Sequence, residues 1–194
     1  MDNNHAKKKS VLREWIESIV IAFLLAMVIR TFLVQAFKIP TGSMKPTLME
    51  GDLILVNKFI YGAKAPFINL RLPGLRQPRR GDVVVFIYPQ DLKKDFIKRL
   101  VGLPQDKIAI KNGTLFVNGE PLTDPVFSQR FYYNRGDFAK DEEEIVVPQG
   151  NFFVLGDNSA SSKDSRYWGF VPEENVIGKA ILIYWPLQRI RIIK

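Results

Sequence analysis

The chain has no cysteine and one histidine, His5, in a polar N-terminal tail. Without cysteine there are no disulfides, thiol nucleophiles or thiolate metal sites, although the compartment stays open. A lone tail histidine also rules out a Ser-His-Asp triad and a histidine-rich metal centre by inventory. No metal or other cofactor is expected. If the protein is a hydrolase, its general base is another residue type. Beyond residue 40 the sequence also lacks any strong amphipathic helical stretch.

What is present is basic and apolar. The 194 residues carry 28 Lys and Arg against 20 Asp and Glu, a formal net charge of +8. Such a surplus favours an anionic partner, nucleic acid or a lipid surface. The cations are dispersed and no strong nucleic-acid motif accompanies them, so the bilayer is the expected partner and nucleic acid is not. From Ser18 to Ile29 the chain runs 12 residues without a charge, and continuing through Arg30 to Phe37 reaches 20. A span needs about 20 apolar residues, and Arg30 is near enough to the end to snorkel. In the first 13 residues Lys7, Lys8, Lys9 and Arg13 outweigh Asp2, which by the positive-inside rule puts the N-terminus in the cytoplasm. The expected organisation is a cytoplasmic tail over 1–17, a transmembrane anchor over 18–37 and an extracytoplasmic domain over 38–194. A cleavable leader is the rival reading, because Val34-Gln35-Ala36 has small-x-small character.

Past Pro40 short apolar runs alternate with turn signals, as in Leu53–Val56 after Gly51-Asp52 and Val83–Tyr88 after Gly81-Asp82. Lys107 to Val117 reads as a hairpin over a type I′ Asn112-Gly113 turn. The expected fold class is mostly β: one transmembrane helix, then an all-β domain whose continuous apolar runs imply strands buried on both faces. Ala63 to Arg80 reads as an exposed loop. The segment 121–148, with its acidic run Asp141–Glu144, reads as a small polar cap.

Ser43 stands in Pro40-Thr41-Gly42-Ser43-Met44-Lys45-Pro46, where Pro and Gly preset a tight turn. A nucleophile needs such rigid exposure, and this one directly follows the apolar segment. With histidine unavailable, lysine is the natural base, provided that burial depresses its pKa. Lys98 meets that condition best. It lies in Asp95-Phe96-Ile97-Lys98-Arg99-Leu100, where strand alternation turns Lys98 inward beside Phe96 and leaves Arg99 free to reach water.

The chain resembles the type I signal peptidases, membrane-anchored serine endopeptidases that remove signal peptides from exported proteins. The resemblance rests on the apolar segment, Pro40–Leu48, Arg80-Gly81-Asp82-Val83-Val84-Val85-Phe86, Lys98-Arg99-Leu100-Val101-Gly102-Leu103-Pro104, and Gly156-Asp157-Asn158 through Ser165-Arg166-Tyr167-Trp168-Gly169. Compact size and a single anchor are similar to the Gram-positive forms. The resemblance implies Ser43 as nucleophile and Lys98 as general base, with the N–H of Ser43 and the hydroxyl of Thr41 as oxyanion donors. It implies that Ser162 orients the lysine, and that Asp164 and Arg166 form a structural ion pair, a pair whose spacing would let them share a strand face. Ile39, Met44, Phe96 and Ile97 would line the −1 subsite, and Phe37, Val85 and Ile97 the −3 subsite. Signal peptides of exported preproteins at a bacterial cell membrane are the implied partners, with the secretion translocase nearby. Gln105 departs from the family's usual Gly. Two other classes compete: a self-cleaving repressor-type peptidase, which would need a DNA-binding domain in place of the anchor, and a tethered β-domain that only binds.

Overall fold

The computed structural model describes residues 11–64, 71–138, 140 and 143–194. His5, Lys7, Lys8, Lys9, Asp141 and Glu142 lie outside the described residues, as does much of the expected loop after Ala63.

Free of Gly and Pro and rich in Leu, Ala and Met, the N-terminal segment forms helix α1, Val11–Val28. It carries an Arg13–Glu17 pair one turn apart at 2.9 Å. A wider π turn, Ile29–Leu33, continues it. Together they make 23 residues whose most apolar 18-residue window has a mean hydropathy of 2.2 and is not buried, so by length and composition they can cross a membrane. At 1.5 Å per residue they reach about 35 Å, against a hydrocarbon core of about 30 Å.

The boundaries of this element differ from expectation. The helix starts at Val11, and Val34 to Phe37, expected inside the anchor, instead belong to strand β1, Val34–Lys38. It pairs antiparallel with β2, Leu53–Asn57, from Val34 opposite Asn57 to Lys38 opposite Leu53. Pro40 forbids helix beyond this point, and the ladder to β2 satisfies backbone groups that a frayed helix end would leave open. The Val34-Gln35-Ala36 motif is therefore held in a sheet.

The remaining strands are β3 (Val83–Ile87), β4 (Asp95–Gly102), β5 (Lys107–Lys111), β6 (Thr114–Val117), β7 (Glu120–Pro121), β8 (Ile145–Val146), β9 (Asn151–Leu155), β10 (Val171–Pro172), β11 (Val176–Trp185) and β12 (Arg191–Ile192). Short helices α2 (Pro125–Ser128) and α3 (Ser165–Trp168) interrupt them. The larger sheet has eight strands in the order β1-β2-β11-β3-β4-β9-β10 with β12 on β11, and the smaller has four, β7-β6-β5-β8. The chain is mostly β with an N-terminal apolar helix.

Strand β3 is buried on both faces: Val83 and Val85 join a cluster with Met44 and Ile183, while Val84 and Phe86 join one with Leu100 and Val176. Strands β2 and β11 instead largely alternate buried and half-buried positions, the pattern of strands with one face on the core. A third cluster ties the small sheet to β9 through Ile108, Ile110, Val117 and Phe153. Phe127, Tyr132 and Val147 from the segment 121–148 are buried in that same cluster. The segment is thus docked into the core by apolar side chains. Its apolar anchors follow neither a 2-residue nor a 3.6-residue period, which hid them among charges.

The Asn112-Gly113 turn joins β5 to β6 with both residues at positive φ, 50° and 78°. A Cβ on Gly113 would come within 2.2 Å of the Phe131 ring. Gln105, where the family usually has Gly, adopts φ 71° and donates its N–H to Val147 O at 2.8 Å, so the turn forms with a side chain in the left-handed region. Gly113→Ala is expected to lower stability by about 1–2 kcal/mol from left-handed strain alone, more if Phe131 cannot move. Urea denaturation of the detergent-solubilised chain measures the loss.

Candidate active site

Ser43 rides on a single 3₁₀ turn, Gly42–Met44, entered from extended Thr41 and left through extended Lys45. Fully buried Met44 and Leu48 pin the turn into the core. Its stem is fixed by Ile39 N–H to Asp52 O at 2.9 Å and Gly51 N–H to Ile39 O at 2.8 Å. From the far side, Asn158 donates its N–H to Ser43 O at 3.0 Å and its Nδ2 to Gly42 O at 3.1 Å. Gly156 permits this approach, since a Cβ there would stand 2.6 Å from Ser43 O and 2.1 Å from Ser162 Oγ.

Lys98 lies on β4 opposite Val84 of β3, just before β9 takes up the other edge of β4 from Arg99 onward. Its Nζ donates to Ser43 Oγ at 2.7 Å and to Ile97 O at 3.0 Å. Ser43 is 7% and Lys98 4% exposed. Phe96 holds its ring centroid 5.6 Å from the Lys98 Nζ, stacks on Tyr88 at 4.4 Å and meets the edge of Trp168 at 5.5 Å. Burial in this wall brings the Lys98 ammonium down from its ordinary 10.5 to about 8, against the opposing pull of Asp164 and Asp157. Desolvation wins because the charged form loses its water.

Asp164 and Arg166 form a fully buried ion pair at 2.8 Å. The expected shared strand face is not the reason. Asp164 is the N-cap of α3 and accepts from Arg166 N–H, so the pairing comes from capping geometry. Arg166 also donates to Tyr133 O, Ser159 O and Ser162 O. Ser162 is buried close by, but its Oγ has no hydrogen-bond partner among the described residues, and Lys98 does not use it. Thr41 is exposed and its side chain does not cap the turn.

Of the expected subsite residues, Phe37, Ile39, Val85, Phe96 and Ile97 line one small cleft of about 40 Å³, with Pro40 and Ile54. Met44 does not line it. It is wholly enclosed in the core cluster that includes Ile39, Ile54 and Val85.

Arg99 corrects the sequence reading most sharply. It does not reach water but is 1% exposed. Its guanidinium grips both carboxylate oxygens of Asp157 at 2.7 Å and donates to Gly81 O at 2.7 Å. Arg130 approaches the same carboxylate at 3.2 Å, and Thr47 Oγ1 donates to it. Asp157 lies within a motif already quoted, but nothing in the sequence marks Arg130 as its neighbour.

In this domain a buried lysine touches a turn serine on the chain that follows a helix long and apolar enough to cross a membrane. Comparison with known proteins identifies the family. Residues 12–185 match the family described as "Signal peptidase, peptidase S26". The chain is 38% identical to a signal peptidase I from Pseudomonas fluorescens, over 92% of this chain and 75% of that one. It is 33% identical to signal peptidase IB of Staphylococcus aureus, over 94% of each. A crystal structure of a signal peptidase I from Enterococcus faecalis aligns with 32% identity and a TM-score of 0.42, covering 54% of this chain and 97% of that one. The chain belongs to the signal peptidase family and is a serine peptidase that removes signal peptides.

Asp157→Ala leaves Arg99 charged and buried without its carboxylate. The expected destabilisation is about 3–5 kcal/mol, read by chemical denaturation of the full chain in detergent. Replacing both partners, Arg99→Met with Asp157→Leu, is expected to cost less than the single change.

Proposed function

We propose that Ser43 is the nucleophile and Lys98 its general base in cleaving precursors after a small-x-small motif. The 2.7 Å contact between Lys98 Nζ and Ser43 Oγ carries this reading. Neutral Lys98 takes the hydroxyl proton along that line as Oγ attacks the scissile carbonyl carbon. The proton then passes to the departing amine of the mature chain, leaving the signal peptide esterified to Ser43. Water, deprotonated by the same lysine, hydrolyses the ester and restores both side chains.

The carbonyl oxygen becomes an oxyanion beside the N–H of Ser43, one of the first donors of a 3₁₀ turn whose own pairing begins later, and beside the Thr41 hydroxyl. Thr41 is extended and makes no capping bond, which leaves its hydroxyl available. An incoming peptide can lie along Asp95–Lys98, the part of β4 that β9 leaves unpaired, as an added strand. Its −1 and −3 side chains then meet the cleft of about 40 Å³, whose size supports a preference for alanine over branched residues. The apolar N-terminal helix supports a bilayer anchor with the tail on the cytoplasmic side and the catalytic domain outside, where the secretion translocase delivers precursors. Ser162 and the Asp164–Arg166 pair act behind the lysine: the ion pair fixes the loop, and the free Ser162 hydroxyl is available to Nζ once substrate binds.

Ser43→Ala and Lys98→Ala are each expected to abolish processing of a precursor in detergent, and full activity in either variant contradicts the dyad. Thr41→Val is expected to lower kcat by about 100-fold, while Thr41→Ser retains most of it.

The lysine must be neutral to act, so activity rises with pH until it levels off above about 8. Below that point the slope is about tenfold per pH unit, and a profile flat from pH 5 to 8 overturns the assignment. The same depression costs stability. The unfolded amine binds its proton up to about pH 10.5 and the folded one only to about 8, so stability rises with pH between those values and carries the full penalty below. Lys98→Met is therefore expected to stabilise the inactive protein at pH 7, by roughly 3 kcal/mol at most.

A further inference from the structure

The apolar cleft is built from residues that precede Ser43, Phe37 to Pro40, and from Asp95 to Ile97. A second, wider cavity of about 370 Å³ lies past the nucleophile, where Lys45 and Pro46 leave the turn. Phe131, Tyr133, Asn158 and Ala160 are among its other wall residues. It adjoins the nucleophile's turn, because its wall residue Asn158 donates its N–H to Ser43 O at 3.0 Å.

We infer that this cavity receives the first residues of the mature chain, on the side of the scissile bond opposite the signal peptide, and favours acidic residues there over basic ones. The inference rests on Ser43 as the nucleophile. A strand that fills the apolar cleft and crosses Ser43 continues onto the Lys45–Asn158 side.

The walls are ordered for contact. Phe131 is 58% exposed, yet its ring is seated against the Gly113 turn and meets Tyr133 edge-on at 4.9 Å. Arg135 covers the Tyr133 ring at 4.8 Å and is anchored to Ala160 O at 3.2 Å. The backbone of Tyr133 is fixed at both ends, its N–H donating to Ser159 Oγ at 2.9 Å and its O accepting from Arg166 at 2.7 Å. This aromatic platform is therefore fastened to the ion pair that stands behind Lys98. Its charge is one-sided. Lys45 and Arg130 line the space and Arg135 sits on its Tyr133 and Ala160 walls, while among the described residues the one carboxylate in its wall, Asp157, is buried and taken up by Arg99 and Arg130. Lys45 also pairs with exposed Glu50 at 3.1 Å. A mature segment bearing Asp or Glu complements this field, whereas Lys or Arg opposes it.

The test uses the full chain in detergent and precursor peptides that share one signal-side sequence ending in Ala-x-Ala. Their mature sides carry Asp or Lys at the second and third positions, or stop after the first residue. The wild-type enzyme is expected to cleave the Asp peptide about three- to tenfold faster than the Lys peptide in kcat/KM. Phe131→Ala with Tyr133→Ala is expected to slow the Asp peptide by a similar factor and leave the truncated peptide unchanged. Arg135→Glu, an exposed change that spares the aromatic rings, is expected to reverse the Asp-over-Lys preference. An unaltered preference in Arg135→Glu, or an equal loss on the truncated peptide in the aromatic variant, overturns the inference. A parallel Ser43→Ala arm separates the two levels. Cleavage that survives there refutes the dyad, while cleavage lost there without mature-side discrimination in the wild type refutes the cavity assignment alone.

Discussion

The site depends on keeping an amine out of water within reach of a hydroxyl. Lys98 is 4% exposed and 2.7 Å from Ser43 Oγ. Nothing in its own chemistry favours that state, because a buried ammonium loses its hydration. The surroundings impose it. Strand β3 holds β4 in register along its length, and the stacked rings of Tyr88 and Phe96 close the apolar side. The nearby carboxylates could have undone the effect by stabilising the charged lysine. They do so only partly, since Asp164 is occupied by Arg166 and Asp157 by Arg99. Two buried ion pairs thus allow structural carboxylates to sit near the lysine while its pKa still falls to about 8.

Lys98 and Arg99 are neighbours with opposite fates. Strand alternation sends them to opposite faces, so Lys98 meets a serine and Arg99 meets a carboxylate. The bidentate arginine stays charged and rigid, and the lysine is the one that can titrate near neutrality. The apolar N-terminal helix contributes by continuity. β1 follows the π turn without a linker, so the cleft lined by Phe37 and Ile39 is held directly beyond the apolar segment. The segment 121–148 contributes from the other direction, anchored by Phe127 and Tyr132 in the core, with Arg130 on Asp157 and Tyr133 wired to Arg166.

Much of this was legible from local rules. Inventory excluded histidine chemistry, the Pro-Gly turn singled out Ser43, and alternation with Phe96 singled out Lys98. The Asn112-Gly113 hairpin formed as its residue types require. The errors came where one pattern served two structures. Val34 to Phe37 carries no charge and no helix breaker and continues the apolar segment, so hydropathy could not tell a span from an edge strand. The i, i+2 spacing of Asp164 and Arg166 suits a strand face, yet a helix cap produced the same pair.

The sequence alone determined the kinds of chemistry available and the elements that carry them, because residue inventory, turn propensity and strand period are local properties. Only the tertiary structure decided which charges are buried against which partners. Arg99 finds Asp157 58 residues away, and Ser43 finds Lys98 at a separation of 55. Burial and pairing arise when sheets close over distant segments, and no window of sequence contains both members of such a pair. That closure turns an ordinary surface-type lysine into an amine that can act near neutral pH.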